Sequence, residues 1–382
     1  MNFELTDEQK MIQEMARKFA EREIKPVAGE LDRNHTHPSE ICAKMGELGL
    51  MGVTIPEEYG GAGMDYVCYA LAMIEISKAC ASCGVIMSVC NSLYNFPVYA
   101  YGTEEQKQKY LRPVASGESL GCYGLTEAGA GSDPAKMLTT AVRDGDQWLI
   151  NGTKRFITNG NVADYCVLAA ITDRAAGYKG ISSFIIDFKN TPGFRVGKVE
   201  DKLGINASGT AELVFEDAHI PEANLLGKPG EGFRQMLTTL DGGRIGIASQ
   251  ALGIGRATLE ASIEYSKTRE QFNQPISNFQ AIQWKLADMA TQLDAAELMI
   301  LRAAWLEDNK KPYEKESAMA KLLASDTAMW AAVEGVQIFG GYGYCKEYPV
   351  ERHMRDAKIT QIYEGTNEIM RLVIARNILK SR

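Results

Sequence analysis

Residues of chemical interest in this chain cluster in short stretches punctuated by glycine. Near the C-terminus lies Ile362-Tyr363-Glu364-Gly365-Thr366-Asn367-Glu368-Ile369. Its carboxylate between Tyr363 and Gly365 stands on a turn where glycine lets the backbone approach a ligand closely. Taken alone, the segment reads first as a helix start, with Thr366 as N-cap and acidic residues favoured by the helix dipole. A second stretch, Tyr123-Gly124-Leu125-Thr126-Glu127-Ala128-Gly129-Ala130-Gly131-Ser132-Asp133, leaves backbone N–H groups uncovered at Gly129 and Gly131, as an anion such as pyrophosphate requires. It carries neither the dinucleotide fingerprint nor the Gly-Lys-Ser/Thr of a P-loop, and it reads equally as a plain loop at a domain boundary. Arg155-Phe156-Ile157-Thr158-Asn159-Gly160 reads as a strand edge whose aromatic could stack on a flat ring with Thr158 hydrogen-bonding beside it, although Phe156 alone reads as core. Arg269-Glu270-Gln271-Phe272, followed by Gln280, suits either a helix C-terminus or a bidentate phosphate contact. Gln337 to Tyr344 is a helix end broken by Gly340, Gly341 and Gly343, the usual form of a C-cap.

Metal chemistry is not expected. The four histidines form no ligand pattern, and Cys80-Ala-Ser-Cys83 is a lone pair with no second pair nearby. The eight cysteines are scattered through apolar segments, which suits buried thiols in a reducing compartment.

The elements that must position these stretches fall into three blocks. Residues 1–118 read as an N-terminal α-helical domain. Thr6 to Gln9 has the capping-box form, apolar residues follow at helical spacing to Phe19, and Pro26 closes or kinks the helix. Further helices are predicted over Ser39–Leu48, Met64–Ala79 and Glu104–Leu111. Val85 to Tyr94 reads either as a buried helix or as a pocket wall. Residues 119–230 turn to strands, at 147–150, 165–171, 181–188 and 212–215, with Asp144-Gly145 as a hairpin turn, so a compact antiparallel β domain is predicted. Residues 231–382 return to helical period, with helices at 233–240, 244–268, 276–308 and 314–339, and suit a four-helix bundle. The fold class is therefore multidomain α+β, in the order α, β, α.

A chain of 382 residues exceeds one ordinary core, and 45% hydrophobic with 24% charged residues is an ordinary globular composition. The net charge of −8 argues against nucleic acid or an anionic membrane as main partner. No apolar run reaches membrane-spanning length, so no membrane insertion is expected. The first residues lack the apolar stretch of a signal peptide and carry acidic residues that a transit peptide avoids. The expected location is the cytoplasm of a bacterium, or the mitochondrial matrix if a presequence has been removed.

Taken together, the stretches 123–133, 156–160, 240–244, 269–272, 337–341 and 362–366, in this order and spacing, resemble the acyl-CoA dehydrogenase family over essentially the whole chain. Within that family the chain is most similar to the short-chain, butyryl-CoA type. The resemblance implies an FAD enzyme that removes two hydrogens across the α,β bond of an acyl-CoA thioester. It further implies a homotetramer and an electron-transfer flavoprotein as electron acceptor. Glu364 matches the base that takes the α-proton while hydride leaves the β-carbon for flavin N5. Some relatives place the base on the preceding long helix, but the matching position here is Gly243, which carries no carboxylate.

By the same resemblance, FAD contacts fall to Tyr123, Leu125, Thr126, Ser132, Phe156, Thr158, Gln280, Gln337, Gly340, Gly341, Thr366 and Glu368. Arg269, Gln271 and Phe272 match contacts that a neighbouring subunit usually makes. Substrate contacts fall to Ser132, Asp241, Arg244, Tyr363 and Gly365. Burial of the substrate is expected to raise the Glu364 pKa towards neutrality. Asn273 and Asn206 stand where relatives often have Gly and Arg, and Gly84 stands where relatives acting on glutaryl-CoA carry Arg. The last departure argues against a dicarboxylate substrate. Other readings are a dehydrogenase or enoyl-CoA reductase for a branched, cyclic or unsaturated acyl-CoA, an oxidase, and a non-catalytic flavin- or CoA-binding protein.

Overall fold

The structure, a computed structural model, describes residues 4–380. The first helix, α1 (Asp7–Phe19), starts at the predicted capping box, with Thr6 and Gln9 bonded reciprocally. It continues through a π turn to Ile24, and the chain turns at Pro26 before α2 (Ala28–Asn34). Then come α3 (Ser39–Glu47), α4 (Tyr66–Ala79) and α5 (Ala81–Ser88), followed by the short helices α6 (Phe96–Tyr101), α7 (Glu104–Gln106) and α8 (Arg112–Ala115). Almost every residue of α4 is buried, because it is enclosed by α1, α5 and the C-terminal helices.

The middle of the chain is an eight-stranded sheet in the order β6-β7-β3-β2-β4-β5-β8, with β1 beside β4. Its strands are β1 (Gly121–Gly124), β2 (Thr140–Asp144), β3 (Gln147–Thr158), β4 (Tyr165–Ile171), β5 (Ile181–Asp187), β6 (Phe194–Val199), β7 (Thr210–Pro221) and β8 (Leu225–Leu226). Pairing is antiparallel except where β1 and one residue of β2 run parallel to β4. The predicted Asp144-Gly145 hairpin joins β2 to β3, with Gly145 left-handed at φ 62°. One face of this sheet closes over its own core of Trp148, Ile150, Phe184, Leu213 and Phe215.

The last block begins with α9 (Gly232–Thr268), a single helix of 37 residues. The sequence reading broke it at Asp241-Gly242-Gly243, but the helix runs through because both glycines are buried against neighbouring groups. A two-residue hairpin of β9 (Glu270–Gln271) and β10 (Gln274–Pro275) leads into α10 (Gln280–Asp308) and α11 (Glu314–Phe339). Two shorter helices, α12 (Val350–Thr360) and α13 (Asn367–Lys380), complete the block. The N-terminal helices and the C-terminal bundle share one continuous apolar core. Among the described residues no helix is long and apolar enough to cross a membrane.

Candidate active site

The turn between α12 and α13 carries Glu364. Its backbone is left-handed at φ 51°, and Gly365 follows at φ 98°. A side chain at position 365 would be strained and would meet the Met370 methyl at 2.6 Å, so glycine is required there. A left-handed glutamate stores strain that the surroundings must hold. They do so from α11. Lys321 Nζ donates to the Gly365 carbonyl at 2.8 Å and to Asn367 Oδ1 at 2.9 Å. Asn367 Nδ2 donates to Ser325 Oγ and Asp326 Oδ1, and Gln361 Nε2 donates to Asp326 Oδ1. Thr366 caps α13, its hydroxyl accepting from the Ile369 amide at 3.4 Å.

Glu364 keeps some contact with solvent as a residue, but its Oε2 is buried and has no hydrogen-bond partner. That oxygen lies against bare backbone of α9: a Cβ on Gly243 would stand 2.2 Å from it. Burial raises the Glu364 carboxyl to about 7 against the opposing charges of Lys321 and Arg244. Among the described residues its backbone N–H donates to no protein acceptor. The surrounding groups are fixed. Tyr363 hydroxyl donates to Gln250 Oε1, and Gln250 Nε2 donates to the Ala81 carbonyl at 2.8 Å. Tyr69, fully buried, donates to Ser88 Oγ at 3.2 Å.

Two residues before Gly243, Asp241 accepts from Arg244 at 2.5 Å. Arg244 is buried, with its Nε unpartnered, and burial pushes the Asp241 carboxyl up to about 6. The β domain reaches this region through the loop after β1. Leu125 packs with Met236 of α9, and Tyr123 and Leu240 pack against the same cluster. The Arg155 amide donates to the Thr126 carbonyl at 2.8 Å, tying the loop to β3. The structure thus brings Tyr123 and Leu125 against Leu240, the neighbour of Asp241, and sets Tyr123 within electrostatic reach of Glu364, while Phe156 and Ser132 are exposed.

Arg269, Gln271, Phe272, Gln280, Gln337, Gly340 and Gly341 form a second, exposed group. Arg269 stacks over Tyr342 at 5.6 Å and links the end of α9 to the end of α11. Arg269 lies 28 residues along the chain from Asp241, roughly 40 Å at helical rise, so the two groups of residues stand far apart. Phe272 is 86% exposed, and Phe272 and Asn273 are both left-handed, the latter at φ 63° as asparagine tolerates. Thr366 and exposed Glu368 stand at the start of α13, beside Glu364 in sequence rather than in the second group.

The stretch Val85 to Tyr94, read either as a buried helix or as a pocket wall, is buried throughout. Asn91 bonds to Leu50, Val53 and Met87 of the N-terminal block, while Tyr94 donates to the Tyr110 carbonyl and stacks on Tyr165 of β4. Instead Leu93, on the same π turn, borders Gly243. Lys321 escaped the sequence reading altogether. Its signal was present, a lysine at mid-helix among Ala318, Ala320, Ala324 and Ser325, where small neighbours imply tight burial.

The residues present fit a flavin nucleotide. Gly129, Gly131, Gly340 and Gly341 have nothing within 4 Å of where a Cβ would stand, so their backbones face open space. Phe156 is an aromatic held at φ 58° and 59% exposed, a conformation and exposure that core packing does not explain. Among the described residues no group of His, Cys, Asp or Glu could hold a metal ion.

Comparison with known proteins agrees with this geometry. Residues 6–118, 122–218 and 230–379 match the N-terminal, middle and C-terminal domains described for acyl-CoA dehydrogenase. The chain is 53% identical over 378 residues to the mitochondrial short-chain specific acyl-CoA dehydrogenase of Bos taurus, covering 99% of this chain and 92% of that one. Butyryl-CoA dehydrogenase from Megasphaera elsdenii superposes with a TM-score of 0.97 at 46% identity, over 99% of this chain and 100% of that one. A chain from the structure described as electron transferring flavoprotein of Acidaminococcus fermentans superposes at 0.98 with 52% identity, over 100% of both chains. With three domains, their order and the site's elements all in agreement, this chain belongs to the acyl-CoA dehydrogenase family.

Proposed function

We propose that the chain is an FAD-dependent dehydrogenase that converts a short-chain acyl-CoA to its trans-2-enoyl-CoA, with Glu364 as the base. The observation that carries this reading is the unpartnered, buried Oε2 of Glu364 lying against bare helix backbone. An acceptor so placed has no structural bond to give up, and its raised pKa near 7 matches a base at neutral pH.

In the reaction, the thioester lies with its α-carbon at Glu364, and Oε2 accepts the α-proton as the C–H electrons enter the new double bond. The amide of Glu364, which has no protein acceptor among the described residues, would donate to the thioester carbonyl and so acidify that proton. FAD, when bound, supplies the acceptor for the hydride that leaves the β-carbon. Tyr123, Leu125, Thr126, Ser132, Phe156 and Thr158 would hold its ring side. Arg269, Gln271 and Phe272 would reach the adenine end of a neighbouring copy's FAD, because the two half-sites stand too far apart to serve one molecule from one chain. Gln280, Gln337, Gly340 and Gly341 belong with that second half-site, and Thr366 and Glu368 with the first. Asp241 and Arg244 would hold the CoA portion.

A short acyl group is favoured because Tyr69, Leu93, Gln250 and Tyr363 close around Glu364, three of them hydrogen-bonded in place. A dicarboxylate is disfavoured: a Cβ at Gly84 would meet Ser77 Oγ at 2.2 Å, leaving no room for a cationic partner. The reading extends to a homotetramer, a cytoplasmic location supported by eight free thiols, and electron-transfer flavoprotein as acceptor. Anaerobic titration of the yellow protein with butyryl-, isobutyryl- and cyclohexanoyl-CoA tests the substrate: butyryl-CoA should bleach the flavin fastest. Faster bleaching by either of the others would reassign it, and fast reoxidation by air would indicate an oxidase.

A further inference from the structure

We infer that Lys321 is a positioning residue for this reaction, holding the turn that aims Glu364 by gripping two groups just beyond it in the chain. The inference rests on Glu364 being the base. Lys321 is 0% exposed and sits mid-way along α11. An ammonium so buried is costly unless its donors are used, and a Met or Leu would fill the same space more cheaply. Its Nζ spends hydrogen bonds on the Gly365 carbonyl and on Asn367 Oδ1, one and three residues beyond Glu364. Among the described residues it makes no ion pair with Glu364. The lysine therefore fixes backbone rather than neutralising the carboxylate, and leaves Oε2 free.

The strained pair Glu364-Gly365 needs such an anchor, since neither left-handed φ is imposed by a regular element. The charged and titratable groups around the carboxylate are Lys321 from α11, Arg244 from α9, Tyr69 from α4, Tyr123 from β1 and Tyr363 on the turn itself. Asp326 and Glu368 act electrostatically on Lys321. Lys321 and Arg244 are thus the cations whose removal would be felt by Glu364.

The test compares Lys321→Met, Lys321→Gln and Glu364→Gln as FAD-loaded enzymes. Flavin content, thermal midpoint, affinity for acetoacetyl-CoA, α-proton exchange of butyryl-CoA in D2O and the pH profile of kcat/KM are measured. For Lys321→Met the expected result is near-normal flavin content and affinity for acetoacetyl-CoA within about threefold. Turnover and α-proton exchange should both fall by about 100-fold, the scale of a misplaced catalytic group. The acid limb of the profile should move to higher pH, because a cation beside the carboxylate has gone. Turnover within threefold of the parent overturns the inference. So does a loss that follows flavin content and thermal midpoint with the acid limb unmoved, which makes Lys321 structural only. If Lys321→Met does not fold, Lys321→Gln is judged by the same criteria. Full turnover in Glu364→Gln defeats the base assignment itself. A dead Glu364→Gln beside a normal Lys321→Met defeats only the positioning role.

Discussion

On β3, Lys154 is 0% exposed and its Nζ donates to Glu127 Oε1 at 2.8 Å and to the Leu125 carbonyl at 3.2 Å. Glu127 also accepts from the amides of Leu138 and Thr139, so its carboxylate is fully engaged. Burial pushes that carboxyl up, but the Lys154 charge and these hydrogen bonds together hold it below its ordinary value. On α11, Lys321 is equally buried and also bonds to a carbonyl, yet the nearby Glu364 is left unpaired and raised to about 7. The same two residue types build a staple in one domain and a poised base in the other. What separates them is whether the lysine's donors go to the carboxylate or to the backbone beside it. A buried pair that satisfies itself has nothing left for a substrate, and one that stays apart does.

The largest effect expected from breaking this contrast is at Glu364. Glu364→Gln should keep FAD and bind acetoacetyl-CoA normally, while turnover with butyryl-CoA falls by about 10³- to 10⁴-fold, the upper range for a general base. Its thermal midpoint at pH 8 should stay level or rise, because a neutral amide replaces an unpaired buried carboxylate. Steady-state kinetics and thermal unfolding on one preparation check both halves.

The staple should behave in the opposite manner. Lys154→Met strands Glu127 as a buried charge, and breaking a buried pair from one side costs about 3–5 kcal/mol. Denaturant unfolding should register that loss in the β domain. Any fall in flavin affinity should accompany it, since Glu127 and Lys154 pin the loop that carries Leu125, Thr126 and Ser132. A double replacement of both residues by apolar ones should recover much of the stability, which no second change would do for Glu364→Gln activity.

A smaller effect comes from Gly243. Alanine is better than glycine in a helix by about 1 kcal/mol. Here the new methyl would meet Glu364 Oε2 at 2.2 Å, and the carboxylate, as the free end of a side chain, would move. Gly243→Ala should therefore fold at least as stably as the parent yet lose about 10- to 100-fold in turnover. Unchanged turnover would mean that the carboxylate has room to act from elsewhere.

These residues also mark what could be read from the chain alone. Capping chemistry and helical period are local, and so the capping box at Thr6 to Gln9 and the helical span Glu314–Phe339 are legible in sequence and recur in the structure. Gly242-Gly243 was not, since local propensity says break and only tertiary contact with Glu364 explains why the helix continues. β3 is legible only in two pieces, 147–150 and the strand edge from Arg155, because Gly152 and Lys154 interrupt its apolar alternation; yet Lys154 is buried. β6 went unread because its residues are mostly exposed and show no buried face. Glu364 was legible through its motif, whereas the partners that hold its turn, Lys321, Ser325 and Asp326, lie some forty residues earlier at helical spacing that looks like any other.

The smallest expected effect is the dependence of stability on pH, and it sharpens the contrast most directly. The folded pKa of Glu364, about 7, lies above its ordinary 4.5, so its contribution to stability is fully present below about 4.5 and is lost as pH rises through 7. Glu127 is held below 4.5, so its contribution is present above that value and is lost as pH falls through its folded pKa. Of these two carboxyls only Glu364 changes its charge between pH 5 and 8, and the protein should lose stability from that group on the alkaline side. Glu364→Gln should remove this slope, so its thermal midpoint should approach the parent's at pH 5 and exceed it at pH 8. Glu127→Gln should lie below the parent at both pH values, with a gap that narrows only under more acid conditions. Parallel curves for Glu364→Gln and the parent from pH 5 to 8 would mean that the carboxylate is solvated or paired in the folded chain. In that event the two lysine–glutamate regions would differ in position alone, and the unpaired base would lose its physical ground.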